Sequence, residues 1–354
     1  MQPIKTALVG YGLGGRCFHA PFIANLPQYY DFRMIFERSK DTAKERYPSV
    51  QIVRSIEAIL ENPEIELVVV TTPNDTHYTY ALAALEAGKH VVVDKPMTIT
   101  AQQAHHLIQV AKEKNLICSV YQNRRYASDA RTLQKVIKSG ALGDVWYFEA
   151  QYHRFRPELK NSWKETAVPG SGILYDLGAH LIDQALHLFG IPQTLVAHTE
   201  MQRPGTEAID YFDIILQFAA TRVRLTAGML VREQGPRLQL HGTKGSFIKN
   251  GDDPQDMAAR EGILPSDPNW GLEDPSIYGL LHNDEGKQII PSEKGDFGLY
   301  YEIFYKHVRE GAVLREKPEH GYNVVTLIEQ ALLSSEQQQV MPVSHLLLPV
   351  EYII

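Results

Sequence analysis

In the first third of the chain, short apolar segments alternate with segments of helical periodicity. The apolar segments predict five strands, in the order KTALVGYG, FRMIFE, ELVVVTTP, HVVVDKP and LICSVYQ. The segments between them are polar or amphipathic and predict helices, the first over about residues 15–26. Because strands and helices alternate, the sequence predicts βαβ units, and therefore a doubly wound parallel sheet with helices on both faces.

Beyond Gln122 the apolar residues alternate with polar residues at a period of two. This pattern predicts strands of a large, mostly antiparallel sheet with one covered face, in WYFEAQYHRF, YFDIILQFA, RVRLTAGML and RLQLHGTKGSFIK. Residues 250–296 are rich in Asp, Gly, Pro and Asn, so we expect a long surface excursion or a subunit-contact loop there. We predict an α/β protein with a Rossmann domain over 1–122 and a C-terminal α/β domain over 123–354, whose last helix could pack back on the first domain.

Composition narrows the class of protein. The chain has 354 residues, 44% of them hydrophobic, and a formal charge of -7 with no Lys/Arg block. This balance disfavours nucleic acid or a membrane surface as the main partner. Cys17 and Cys118 offer no disulfide framework, and neither a secretory signal nor an apolar run of about 20 residues is apparent. We therefore expect a soluble, cytoplasmic protein.

The sequence GYGLGG places Gly10, Gly12 and Gly15 in the spacing G-x-G-x-x-G, with Leu13 between them. The first glycine allows a tight turn, the second lets a pyrophosphate approach the backbone, and the third lets the helix pack close to the strand. An ordinary glycine turn is the alternative. The preceding strand and the following helix favour dinucleotide binding.

The second predicted strand ends in the acid Glu37, where a carboxylate could bind the adenosine ribose hydroxyls. Arg38, Ser39 and Lys40 follow directly, and their side chains suit a 2′-phosphate. A 2′-phosphate would be repelled by Glu37 unless that carboxylate turned away. A solvated charge cluster would also account for these residues. We expect NADP as the cofactor, with NAD as the alternative.

Three polar clusters, TTPNDTH, DKP and QNRR, follow three apolar strands. Ligands of doubly wound sheets bind beyond the carboxyl ends of the strands, so the clusters together predict a binding site. The cofactor-binding candidates in these clusters are Thr71, Thr72, Pro73, Asn74, His77, Asp94, Lys95 and Asn123.

The segment GSGILYDLGAHLIDQALH places Asp176, His180, Asp183 and His187 on roughly one helical face. An Asp one turn before a His can orient an imidazole for proton transfer. Alternatively, His180 is a hydrogen-bonded core histidine, and Asp183 and His187 are buried polar residues bonded to backbone. The spacing is not H-E-x-x-H, and we expect no metal.

Together, GYGLGG…FHAPFI, TTPNDTH, ALEAGKHVVVDKPMT, YQNRR and GSGILYDLGAHLIDQ resemble the Gfo/Idh/MocA oxidoreductase family over essentially the whole chain. Within this family, the sequence is most similar to the NADP-preferring scyllo-inositol dehydrogenase branch. The resemblance implies a Rossmann domain followed by an α/β domain with a largely antiparallel sheet. It also implies a homodimer or homotetramer joined through the open face of that sheet.

The resemblance also implies roles for individual residues. The family's E-K-P motif falls on Asp94, Lys95 and Pro96, and its D-x-x-x-H pair falls on Asp176 and His180. Asp94 departs from the usual Glu, and its carboxylate is one methylene group closer to the backbone. In the family, the Lys and the His, with the Asp, contact the hydroxyl that becomes a carbonyl.

These residues suggest reversible hydride transfer between a secondary alcohol of a polyol or sugar and a nicotinamide. His180 would take the hydroxyl proton, Lys95 would stabilise the charge on the oxygen, and Asp176 would orient the pair. Packing or surface roles are the alternative for the candidate walls of the sugar pocket, which are Arg124, Tyr152, Arg154, Arg156 and Trp163.

Two other functions stay open. The first is an oxidoreductase acting on an aldose or another sugar derivative. The second is a dinucleotide-binding regulator without catalysis, in which we would expect the Lys or the His to be lost. Lys95 and His180 are both present.

Overall fold

The computed structural model describes residues 1–160 and 162–352. The described chain divides into two compact units. The first unit contains residues 1–123, 255–270 and 296–322, and the second contains the remaining described residues. The first unit is therefore built from three separate stretches of chain.

The first unit contains a six-stranded sheet in which all neighbouring strands are parallel. Its strands are β1 (Ile4–Val9), β2 (Tyr30–Phe36), β3 (Gln51–Val53), β4 (Leu67–Val70), β5 (His90–Asp94) and β6 (Cys118–Tyr121). They lie in the order β3-β2-β1-β4-β5-β6. All four residues of β4 are completely buried, as in a parallel sheet that is covered on both faces. The predicted doubly wound parallel sheet is confirmed.

The second unit contains a nine-stranded, mostly antiparallel sheet. Its strands are β7 (Val145–His153), β8 (Thr194–Glu200), β9 (Tyr211–Gln217), β10 (Arg222–Gly228), β11 (Leu238–Gly242), β12 (Gly245–Lys249), β13 (Gly279–Asn283), β14 (Gly286–Ile290) and β15 (Met341–Pro342). The order is β14-β13-β12-β11-β7-β10-β9-β8-β15, and β7 and β10 are parallel. In β9, Phe212, Ile214 and Leu216 are buried and the residues between them are half-exposed, so one face is covered. The predicted sheet is confirmed.

The helices lie between these strands and after them. They are α1 (Ala20–Ala24), α2 (Thr42–Arg46), α3 (Glu57–Leu60), α4 (Asn74–Glu86), α5 (Ala101–Glu113), α6 (Ser128–Lys138), α7 (Ala179–Phe189), α8 (Gln255–Glu261), α9 (Gly298–Glu310) and α10 (Pro318–Gln337). Two π-helical turns, Gly15–His19 and Leu174–Gly178, lead directly into α1 and α7. In the described part of the chain, no helix has the length and apolar character that a membrane span requires.

The prediction of a loop over residues 250–296 is wrong. This stretch contains α8 and the hairpin of β13 and β14, which continues the large sheet. The turn-forming residues dominate its composition, whereas the hairpin gains its burial from β12, where Phe247 pairs with Leu281. The three-residue strand β3 and helix α9 are also absent from the sequence-based prediction. β3 is too short to show a periodicity.

The parallel sheet determines where its strand-end residues lie. Because β4, β5 and β6 are parallel neighbours, their carboxyl ends meet at one edge of the sheet. The three predicted polar clusters follow these ends and therefore share that edge.

Candidate active site

The glycine turn between β1 and the first π-helical turn has the geometry that dinucleotide binding requires. Gly10 has a φ of +99°, which favours glycine. A Cβ on Gly15 would lie 2.3 Å from the carbonyl oxygen of Gly10, so this close approach also requires glycine. A Cβ on Gly12 would meet no heavy atom within 4 Å, and Gly12 and Leu13 are exposed. The turn thus presents open backbone, which fits a pyrophosphate.

The residues after β4 support this turn. The Thr71 hydroxyl donates to the carbonyl oxygen of Gly10 at 2.7 Å. Thr72 is half-buried, and Pro73 precedes α4, which begins at Asn74. The polar residues after β4 therefore lie beside the glycine turn, as the strand order requires.

His77 connects two strand ends within the first unit. Its ring is buried, with Nε2 2.8 Å from the carbonyl oxygen of Thr72 and Nδ1 2.8 Å from that of Pro96. Burial lowers the pKa of His77, while the charge of Asp94 and the two carbonyl contacts act in the opposite direction. The side chain holds the segments after β4 and β5 together, and its direct contact with a cofactor stays a prediction.

Asp94 and Lys95 stand at the carboxyl end of β5. Oδ1 of Asp94 accepts a hydrogen bond from the backbone N–H of Lys95 at 2.7 Å, and both side chains are partly accessible. Burial alone would raise the pKa of Asp94, but its contact with His19 and the charges of Lys95 and His77 lower it overall. Asp94 is therefore an ionised carboxylate at neutral pH, directly beside the proposed catalytic Lys95.

Glu37 follows β2 and is turned toward the protein. Its carboxylate accepts hydrogen bonds from the Thr42 hydroxyl and from the backbone N–H of Ala43 at 3.2 Å, and Glu37 is only 7% exposed. Arg38 and Ser39 are exposed. The acid thus satisfies the amino-terminal end of α2, and the accessible groups at this strand end are basic or hydroxylic.

Asn123 follows β6, the strand beside β5, and is buried at the start of a short 3₁₀ turn (Asn123–Tyr126). The sheet therefore places most of the predicted cofactor-binding residues along one edge. These residues are Gly10, Gly12, Leu13, Gly15, Glu37, Arg38, Ser39, Thr71, Thr72, Pro73, Asn74, Asp94, Lys95 and Asn123.

In the second unit, Asp176 and His180 lie at the junction of the second π-helical turn with α7. Asp176 accepts a hydrogen bond from Nζ of Lys164 at 2.8 Å. His180 is half-buried and lines a small cavity together with Arg124 and His187. The acid and the histidine are close in sequence and both accessible, as proton transfer requires.

Asp183 has a different environment from the other acids in this segment. Its carboxylate accepts two hydrogen bonds from Arg125, at 2.6 and 2.9 Å, and both side chains are buried. This bidentate ion pair is structural, so Asp183 is a buried polar residue as the alternative supposed, but its partner is the Arg125 side chain and not the backbone. Among residues 1–160 and 162–352, no group of three His, Cys, Asp or Glu side chains is arranged to hold a metal ion.

The candidate pocket residues are in different environments. The Tyr152 ring is buried, with the Arg237 guanidinium 3.7 Å and the Arg124 guanidinium 5.9 Å from its centroid. The backbone N–H groups of Arg154 and Arg156 continue the pairing beyond β7, through the carbonyl oxygens of Gly228 and Met229. Trp163 opens a 3₁₀ turn (Trp163–Glu165), and Nζ of Lys164 lies 5.8 Å from its ring centroid.

Sequence reasoning missed three residues at these positions, namely His19, Lys164 and Arg237. His19 and Arg237 are buried and contact residues distant in sequence. Lys164 is a single lysine that belongs to none of the recognised sequence motifs. None of the three has a spacing that identifies its partner, although His19 belongs to the segment FHAPFI.

The geometry defines a protein with a dinucleotide-binding parallel sheet, and comparison with known proteins identifies an oxidoreductase family. The family model described as "Oxidoreductase family, NAD-binding Rossmann fold" matches residues 4–122. The model of the C-terminal alpha/beta domain of the same family matches residues 134–344. The chain belongs to the Gfo/Idh/MocA oxidoreductase family, and its first unit is an NAD(P)-binding Rossmann domain.

Two relatives with named activities and one solved structure are similar to this chain over nearly its whole length. The chain is 40% identical over 349 residues to the scyllo-inositol 2-dehydrogenase (NADP(+)) IolW of Bacillus subtilis, covering 98% of this chain and 97% of that protein. It is 26% identical to the levoglucosan dehydrogenase of Pseudarthrobacter phenanthrenivorans, covering 96% and 97%. A solved oxidoreductase structure from Bacillus subtilis matches with a TM-score of 0.92 at 40% identity, covering 96% of this chain and 98% of that one.

Proposed function

We propose that this protein transfers a hydride between a secondary alcohol of an inositol-like polyol and NADP. The observation that supports this most is the position of Lys95. It follows Asp94 at the carboxyl end of β5, on the sheet edge that carries the glycine turn. A partly accessible ammonium group there can act on a substrate oxygen. The names of the relatives support a polyol or sugar as the substrate class.

The protein's own groups supply the proton chemistry. When bound, the nicotinamide cofactor accepts or donates the hydride. A carbinol carbon releases a hydride readily only as its hydroxyl proton leaves, so a base is needed. We assign this role to His180, because a histidine can accept a proton near neutral pH. Lys95 donates a hydrogen bond to the same oxygen and stabilises its negative charge.

Asp176 orients this pair in the proposal. In the structure its carboxylate accepts a hydrogen bond from Lys164, so one of its oxygens is held in place. A fixed carboxylate one turn before His180 favours one orientation of the imidazole. Lys164 thereby becomes part of the proposed substrate end of the site, together with Trp163, Arg154, Arg156, Tyr152 and Arg124.

The orientation of Glu37 favours NADP over NAD. A ribose-binding acid would have to face the ligand, but this carboxylate is bonded to Thr42 and Ala43. Arg54 also fixes the backbone here by donating to the carbonyl oxygen of Glu37 at 2.9 Å. The exposed Arg38 and Ser39 remain to bind a 2′-phosphate. NAD is the alternative cofactor.

A substrate panel tests the proposal. Inositol isomers, aldoses and levoglucosan are each assayed with NADP and with NAD, and kcat/KM is measured. We expect the highest value for an inositol with NADP. A highest value for an aldose or anhydrosugar would establish the alternative sugar-derivative dehydrogenase. NADPH binding without turnover of any substrate would favour the regulator.

Arg38→Ala tests the cofactor preference. We expect kcat/KM for NADP to fall about 10-fold or more, because a charge-assisted phosphate contact contributes about 1.5–3 kcal/mol, while the value for NAD changes little. The matched control is Arg33→Ala, which removes an exposed arginine paired with Asp31 on the same strand. Equal losses with both cofactors would contradict the proposed phosphate contact.

We also propose a cytoplasmic location and a homo-oligomeric state for this protein. Both cysteines are free and buried, which suits a cytoplasmic protein without disulfides. Burial also raises the pKa of the Cys118 thiol to about 12, so this thiol stays protonated at neutral pH. The half-exposed face of β9 is where we expect a homodimer or homotetramer to form. Light scattering during size-exclusion chromatography measures the oligomer mass, and a monomer would contradict this assignment.

A further inference from the structure

His19 is a completely buried histidine that the proposed mechanism does not use. It ends the first π-helical turn, directly after the glycine turn. Its Nδ1 lies 2.7 Å from the Tyr301 hydroxyl, and its ring packs on Tyr121 with centroids 4.1 Å apart. Its Nε2 has no hydrogen-bond partner among the described residues and lies 3.6 Å from Oδ2 of Asp94. The imidazole therefore extends from a buried tyrosine to the strand end that carries Lys95.

The hydrogen-bonding groups determine which atom of His19 faces Asp94. Burial raises the pKa of Tyr301 well above its usual value, so its hydroxyl keeps a proton to donate. If Tyr301 donates to Nδ1, the neutral imidazole carries its proton on Nε2. The opposite tautomer would direct a bare nitrogen lone pair at a carboxylate inside the protein, which is unfavourable. Both the neutral Nε2–H form and the protonated form direct an N–H at Asp94.

Asp94 transmits this contact to Lys95. Oδ2 faces His19, while Oδ1 accepts the backbone N–H of Lys95 at 2.7 Å. The glycine turn leaves room for the carboxylate, because a Cβ on Gly14 would lie 3.0 Å from Oδ2. The short aspartate side chain thus bridges the glycine turn, the buried histidine and the lysine backbone.

We propose that His19 is a positioning residue. Its Nε2–H, 3.6 Å from Oδ2, attracts the Asp94 carboxylate electrostatically without a hydrogen bond, and Asp94 in turn accepts the backbone N–H of Lys95 so that the ammonium group meets the reacting oxygen. The inference rests on the proposed function of Lys95. His19 touches neither substrate nor reacting atoms in this account and acts through Asp94 alone.

Two amide substitutions test this role. The amide of His19→Gln is long enough to place an N–H near the position of Nε2, facing Asp94. The amide of His19→Asn reaches only the position of Nδ1, near Tyr301. We expect kcat of His19→Asn to fall about 10- to 100-fold through misplacement of Lys95, with KM little changed. His19→Gln should recover most of that loss.

The control and the further measurements separate positioning from stability. His90→Leu removes the acceptor of the Ile117 N–H at the other end of β5, and should lower the unfolding temperature without changing kcat. The NADPH dissociation constant, measured by fluorescence titration, should be unchanged in both His19 variants. In an Asp94→Asn background, His19→Asn should cost little further kcat, because the group through which it acts has lost its charge.

Several outcomes would overturn the inference. They are wild-type kcat in His19→Asn, equal losses in the Asn and Gln variants, or a full additional loss in the Asp94→Asn background. If Lys95→Met itself keeps wild-type turnover, the proposed function fails. If Lys95→Met is inactive and His19→Asn is fully active, only the role of His19 fails.

Discussion

The two π-helical turns stand in equivalent places, each directly before a helix and each in a different unit, but they are built differently. The turn over Gly15–His19 is held by close backbone packing and ends in a completely buried histidine. The turn over Leu174–Gly178 carries the partly exposed Asp176, whose partner Lys164 is 42% exposed. The first turn is thus closely packed, within a Rossmann domain that binds NAD(P). The second presents a partly exposed acid that is paired with an exposed lysine.

The helix after the second turn nevertheless has a fixed anchor, the buried pair of Asp183 and Arg125. We expect Asp183→Ala to lower the free energy of unfolding by about 3–5 kcal/mol, because it leaves a buried guanidinium without its partner. Chemical denaturation measures the change. As the control, Asp31→Ala breaks the exposed pair with Arg33 and should cost less than about 1 kcal/mol. Similar costs for the two variants would show that α7 is not anchored in this way.

Alanine at the glycines of the two π-helical turns compares their rigidity. A Cβ on Gly15 meets the backbone oxygen of Gly10 at 2.3 Å, whereas a Cβ on Gly178 meets the end of the Leu174 side chain at 2.9 Å and the Phe212 ring at an ordinary contact distance of 3.5 Å. We expect Gly15→Ala to cost about 1–3 kcal/mol and to weaken NADPH binding. Gly178→Ala should cost less, since the leucine can move. If Gly178→Ala costs as much as Gly15→Ala, the difference in rigidity is not real.

The sequence predicted the features of the first turn that depend on local pattern. The apolar segments identified the parallel strands, and the spacing of Gly10, Gly12 and Gly15 identified the dinucleotide turn. The partner of His19 could not be predicted, because Tyr301 lies 282 residues away in α9, a helix that the sequence-based prediction omitted. The π-helical form of both turns was also missed, since helical periodicity does not distinguish a wider turn over five residues.

In the second unit, too, the sequence could not predict which distant residue pairs with each acid. Asp176, His180, Asp183 and His187 share a helical spacing, which could not separate the buried acid Asp183 from the partly exposed acid Asp176. The difference came from Arg125, which pairs with Asp183, and from Lys164, which contacts Asp176. Residues 250–296 read as a loop from composition alone, because the strand partner that orders the hairpin is specified by the fold and not by the local sequence.

The most direct test of the central claim is the turnover of Lys95→Met and His180→Ala with an inositol and NADP. We predict that kcat falls about 10³-fold in each variant, within the range expected for loss of a proton-transfer or oxyanion-stabilising group. The NADPH dissociation constant and the unfolding temperature should stay close to the wild-type values. Near wild-type turnover in either folded variant would contradict the assignment of the reaction to these two residues.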